Sequence, residues 1–152
     1  MTAQDIASYL LDLSKETGEP LTNIKLQKLV YYSYVWFLVR FGNKLFEEPI
    51  VAWKYGPVVV SLYNEYSKYG ADIISDAPSG DSSNITAEAK NIIDDVFTIY
   101  GKLGGLELAN LTHSERPWQE TFEQGKEKQI PDELIIEFYK AKEERASSET
   151  AA

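Results

Sequence analysis

Leu29-Val30-Tyr31-Tyr32-Ser33-Tyr34-Val35-Trp36-Phe37-Leu38 is the stretch that decides the fold. It carries no charge, and as a helix it is apolar on almost every face. Such a helix sits at the centre, with other elements packed around it. A membrane span needs roughly 20 apolar residues, whereas the uncharged run from Leu29 to Val39 has eleven. The segment therefore reads as the core helix of a globular domain. Thr22 or a neighbour caps it, Lys25 and Lys28 give its first turns a polar face, and Gly42 ends it.

Upstream, Thr2 and Asp5 have capping-box spacing, Ile6, Tyr9, Leu10 and Leu13 make one apolar stripe, and Gly18 with Pro20 ends the helix. Downstream, Leu45-Phe46 and Ile50-Val51-Ala52-Trp53 flank Glu47-Glu48-Pro49, a pattern that predicts a short hairpin near residues 44–53. Pro57 suits the first position of a third helix. Val58-Val59-Val60 favours strand, yet Val59, Leu62, Tyr63 and Tyr66 recur at helical spacing, and helix is the reading adopted.

Residues 70–84 form the longest predicted loop, after which Thr86 caps a helix with Ile92, Ile93, Val96, Phe97 and Tyr100 inward. Gly104-Gly105 breaks it. A short helix then leads into the corner Leu111-Thr112-His113-Ser114-Glu115-Arg116-Pro117-Trp118, and Pro117 starts another turn. Pro131 to Arg145 is a last amphipathic helix. The expected fold is all-α, with about six to seven helices around the apolar one and at most a small hairpin. Residues 1–145 read as a single domain and 146–152 as a disordered tail.

A length of 152 residues suits one domain with a real core. Cysteine is absent, which removes disulfides and thiolate chemistry and suits a reducing, cytoplasmic setting. Thr2-Ala3-Gln4-Asp5 is polar and acidic, unlike a signal peptide. The net charge of −9 is lopsided: residues 1–70 are neutral, while 71–118 and 119–152 carry −5 and −4. Acidity of this kind disfavours nucleic-acid backbones. It either attracts a basic protein partner or serves solubility.

Catalytic constellations are scarce. With one His and no Cys, a zinc site would be nearly all carboxylate, and no metal or cofactor is expected. No Gly-x-Ser-x-Gly elbow is present, and the paired acids Glu47-Glu48 and Asp94-Asp95 read as solvated surface. His113, the only histidine, reads first as a corner residue bonding backbone and second as a contact or proton donor. Trp53, Tyr55 and Trp118 are hinge or core rings by the simpler reading. Trp, Tyr and Arg also dominate interface energetics. Trp53, Tyr55, His113, Arg116 and Trp118 are therefore the candidate partner-binding residues, with the Lys25/Lys28 face and the acidic last helix as alternative faces.

The ordered series Leu26-Gln27-Lys28-Leu29-Val30-Tyr31-Tyr32, Leu45-Phe46, Ala52-Trp53-Lys54-Tyr55-Gly56-Pro57-Val58-Val59, Leu62-Tyr63, Leu111-Thr112-His113-Ser114 and Pro117-Trp118 resembles the Panacea, or SocA-like, antitoxin domain, also met in phage-associated GepA-type proteins. The resemblance spans residues 3–125. One departure is Val60, where the family usually has a second proline; its loss should leave the start of the third helix more regular. The resemblance implies an all-helical antitoxin that binds and neutralises a protein toxin encoded by the adjacent gene. Some members of the family are adaptors that deliver the toxin to a cellular protease. A small enzyme using His113 with a nearby carboxylate is the remaining alternative. No membrane partner is expected, and self-association is left open.

Overall fold

A computed structural model of the chain describes residues 1–75, 79–125 and 127–151. Among these are α1 (Ala3–Thr17), α2 (Asn23–Phe41), α3 (Val60–Tyr66), α4 (Ala87–Tyr100), α5 (Gly105–His113), α6 (Arg116–Glu123) and α7 (Asp132–Ala151), with one hairpin, β1 (Val51–Trp53) and β2 (Gly56–Val58), between α2 and α3 in the chain. The fold is mainly helical, as the sequence predicts. No helix among the described residues is long and apolar enough to cross a membrane.

α2 is the hub. It packs on α1, α3, α4, α5, α7 and β2, and from Leu26 to Val35 every residue is buried. The caps follow local chemistry. The Thr2 hydroxyl accepts from Asp5 N at 3.1 Å while Asp5 accepts from Thr2 N at 3.0 Å, closing the predicted box. Thr22 and Thr86 cap α2 and α4, and Gly18 and Gly42 end α1 and α2 in the left-handed conformation.

The structure corrects three expectations. The hairpin is not at 44–53: its strands pair Val51 with Val58, Ala52 with Pro57 and Trp53 with Gly56, around the two-residue loop Lys54-Tyr55. Pro57 consequently lies in a strand instead of opening a helix. A two-stranded sheet has only edge strands, where a missing N–H is tolerated, so Val58 follows its strand propensity and Val60 opens α3. Finally, α7 runs to Ala151 instead of ending at Arg145. The residues beyond Arg145 include no glycine or proline to stop it.

The 70–84 segment, read as one long loop, is anchored at both ends. Ile74 N donates to Leu21 O at 2.9 Å, and Asp81 N donates to Asp5 Oδ1 at 2.9 Å. Its centre, residues 76–78, lies outside the described residues. On the far side of the hairpin, residues 128–130 run beside β1, with Ala52 N donating to Lys128 O and Ile130 N to Ile50 O, each at 2.9 Å.

Candidate functional site

A cleft of about 790 Å³ opens between the first turns of α2, the hairpin and α3. Its wall begins with α2. Asn23 Nδ2 donates to Tyr63 O at 3.3 Å, Gln27 Nε2 donates to Asn23 Oδ1 at 3.3 Å, and Gln27 Oε1 accepts from Val59 N at 3.1 Å. Val59 is the N-cap of α3 and offers no side-chain cap of its own. Gln27 thus fixes the turn from strand into helix, and with it the position of Tyr63.

Lys28 forms the floor. It is only 1% exposed, and its Nζ donates to Pro57 O at 3.2 Å. Gly56 makes room for it. A Cβ on Gly56 would lie 2.6 Å from Lys28 Cε and 2.8 Å from Thr112 Oγ1, and its φ of +116° disfavours other residues as well. Burial lowers the Lys28 ammonium to about 7.

Lys25, one turn earlier, is also buried. Its Nζ pairs with Glu19 at 2.9 Å and donates to Gly101 O at 2.8 Å. Both side chains of the Lys25/Lys28 face are buried: Lys25 reaches a carbonyl inside the molecule, and Lys28 lies against the cleft.

The two aromatic corners meet at the hairpin. Trp118 Nε1 donates to Trp53 O at 2.7 Å. The Trp118 ring lies 4.0 Å from that of His113 and 4.7 Å from that of Phe122, while Trp53 meets Tyr63 edge-on at 5.1 Å. Trp53, Tyr55, Tyr63 and Phe122 line the cleft. Tyr55, at the hairpin tip, is 59% exposed. Two ring nitrogens in this corner are buried without partners among the described residues: Trp53 Nε1, a donor, and His113 Nε2. Burial holds the His113 imidazole below its ordinary range; a hydrogen bond with the Lys54 backbone opposes this and the Lys28 charge adds to it.

Of the residues singled out in sequence, Trp53, Tyr55, His113 and Trp118 come together here, and Arg116 does not. Its guanidinium turns outward to Glu120 at 3.1 Å and Glu137 at 3.8 Å. Asn23, Gln27, Tyr63 and Phe122 join the site without having been picked out for it, and Lys28 joins it from the alternative Lys25/Lys28 face. The Lys28 ammonium in an otherwise apolar helix was the available signal.

A second polar cluster lies across α2. Glu115, 3% exposed, accepts from Tyr32 OH at 2.6 Å and Tyr139 OH at 2.9 Å, and pairs with Lys142 at 2.8 Å. Tyr31 and Tyr139 hydroxyls are 3.0 Å apart, Tyr32 stacks on Tyr100 at 4.1 Å, and Trp36 Nε1 donates to Tyr100 OH at 3.0 Å. Burial first, then the Glu115 charge, raises Tyr32 far above the phenol range, so it stays a donor.

These features define a small helical domain organised on one apolar helix, with a ring-walled cleft at the hairpin. The family model for antitoxin SocA-like, Panacea-domain proteins matches residues 26–119, which include most of α2, the hairpin and both corners, and the chain belongs to that family. It is 30% identical over 127 residues to antitoxin SocA of Caulobacter vibrioides (strain NA1000 / CB15N), an alignment covering 76% of this chain and 68% of that protein. No solved structure matches the chain.

Proposed function

We propose that this protein is an antitoxin that neutralises a protein toxin, encoded by the adjacent gene, by direct binding in the cytoplasm and without chemistry of its own. The observation that carries the reading is the match to the SocA-like, Panacea-domain family over residues 26–119, which include most of the residues that build the cleft. The cleft itself supports it. Exposed rings beside an unpartnered indole donor resemble the core of a binding surface. His113 is set against Trp118 with no carboxylate among its hydrogen-bond partners in the described residues, so the corner is better suited to contact than to proton transfer.

Expression of the adjacent gene alone and together with this one tests the proposal. The expected outcome is growth arrest by the first and rescue by the pair. A neighbour that is harmless alone, or still toxic beside this protein, overturns it. The toxin's half-life in the rescued cells then separates blocking, which leaves it unchanged, from delivery to a protease, which shortens it.

A further inference from the structure

The cleft's floor is electrostatically incomplete. Lys28 has three N–H donors, and the hydrogen bond to Pro57 O is satisfied by one of them. Among the described residues it has no carboxylate partner, although a buried ammonium is normally paired. In the same cleft the Trp53 indole N–H is buried and idle. Among the described lining residues, Lys54 and Glu127 carry opposite charges, which leaves Lys28 as the unbalanced one. Around these donors the walls are Ile24, Ala52, Val58, Tyr63 and Phe122, so most of the space suits an apolar body.

We propose that the cleft is the seat for an acidic side chain of the partner protein: an Asp or Glu flanked by aromatic or aliphatic residues, its carboxylate taken by Lys28 and Trp53 and its neighbours by the ring walls. This rests on the antitoxin reading and names the chemistry by which the partner is recognised. The acidic surface of this protein favours a basic partner at long range. The cleft then selects one carboxylate on it, which gives specificity that net charge alone does not. An anion seated there supplies the pairing that Lys28 lacks.

Purified protein and the adjacent-gene product give the test. Lys28→Met removes the ammonium, and Trp53→Phe removes the idle N–H while keeping a ring against Tyr63. Each variant should keep the wild-type far-ultraviolet spectrum and cooperative melting, yet lose about tenfold in affinity, the worth of one charge-assisted hydrogen bond. Wild-type affinity in both variants overturns the inference and leaves the antitoxin reading standing. If wild type itself fails to bind, the antitoxin reading falls, and blocked peptides decide the cleft's chemistry separately. Acetyl-Phe-Glu-Phe-amide should move the Trp53 indole resonance, and acetyl-Phe-Gln-Phe-amide should not. Equal shifts, or shifts unchanged by Lys28→Met, sink it.

Discussion

Two polar clusters flank α2, and they differ in how far they are closed. Around Glu115 the carboxylate has three donors from two other helices, and its neighbours bond one another in turn. Around Lys28 the ammonium has one carbonyl, and the adjacent indole and imidazole each keep a buried nitrogen idle. A fully satisfied buried network rigidifies a core, whereas an unsatisfied donor costs stability until something pairs with it. The first cluster therefore belongs to the architecture. The second has the character of a site waiting for its acceptor.

Breaking the closed cluster should have the largest effect. Glu115→Ala strands two tyrosine hydroxyls and frees Lys142, and a loss of about 3 kcal/mol is expected in urea denaturation. A loss under about 0.5 kcal/mol would mean the network contributes no more than a surface ion pair. Next comes Gly56→Ala, which forces a side chain into a left-handed backbone and against the Lys28 stem. It should lower stability by about 2 kcal/mol, and the two strains are separated by the double variant Gly56→Ala with Lys28→Met, which should recover part of the loss.

The open cluster has its own pH signature. In the folded protein Lys28 gives up its proton near 7, while in the unfolded chain it holds it to its ordinary value of 10.5. Between those values the unfolded state binds more protons, so stability rises with pH. The slope is about 1 kcal/mol per pH unit from pH 7.5 to 9.5, below the range where the buried tyrosines titrate. Lys28→Met should abolish it, and a slope that survives the substitution refutes the assignment.

The smallest contrast is between two indoles. Trp118→Phe loses the bond to Trp53 O and should cost about 1 kcal/mol. Trp53→Phe loses no bond within the protein and should stay within about 0.5 kcal/mol of wild type. Equal losses would show that Trp53 Nε1 is not idle.

Much of this frame is legible in the sequence because it is locally encoded. α2 is apolar on all sides, Thr2 and Thr86 are caps by type and spacing, and Gly18 and Gly42 are stops. The hairpin was misplaced because Pro57 fits a helix start and an edge strand equally well. What decides between them is a long-range fact, the passage of Lys28 beneath Gly56. The meeting of Trp53, Tyr55, His113 and Trp118 follows from two motifs rich in rings, while Arg116 turns outward to the local Glu120 and, more distantly, to Glu137 of α7. The Glu115 cluster was invisible for the same reason: its partners lie 83 residues upstream and 24 and 27 downstream. Nor does a lysine advertise burial, since composition alone places it at the surface.

The tie between α2 and α7 also has a consequence for the order in which the chain is made. Tyr31 waits for Tyr139, 108 residues later, and Tyr34 for Asp132, 98 residues later. Every described residue lining the hairpin cleft precedes α7 and leaves the ribosome before the helix that completes the core. During translation, the last helix is the latch: the cleft is already outside while Glu115, the acceptor of Tyr32, still waits for the donors α7 brings.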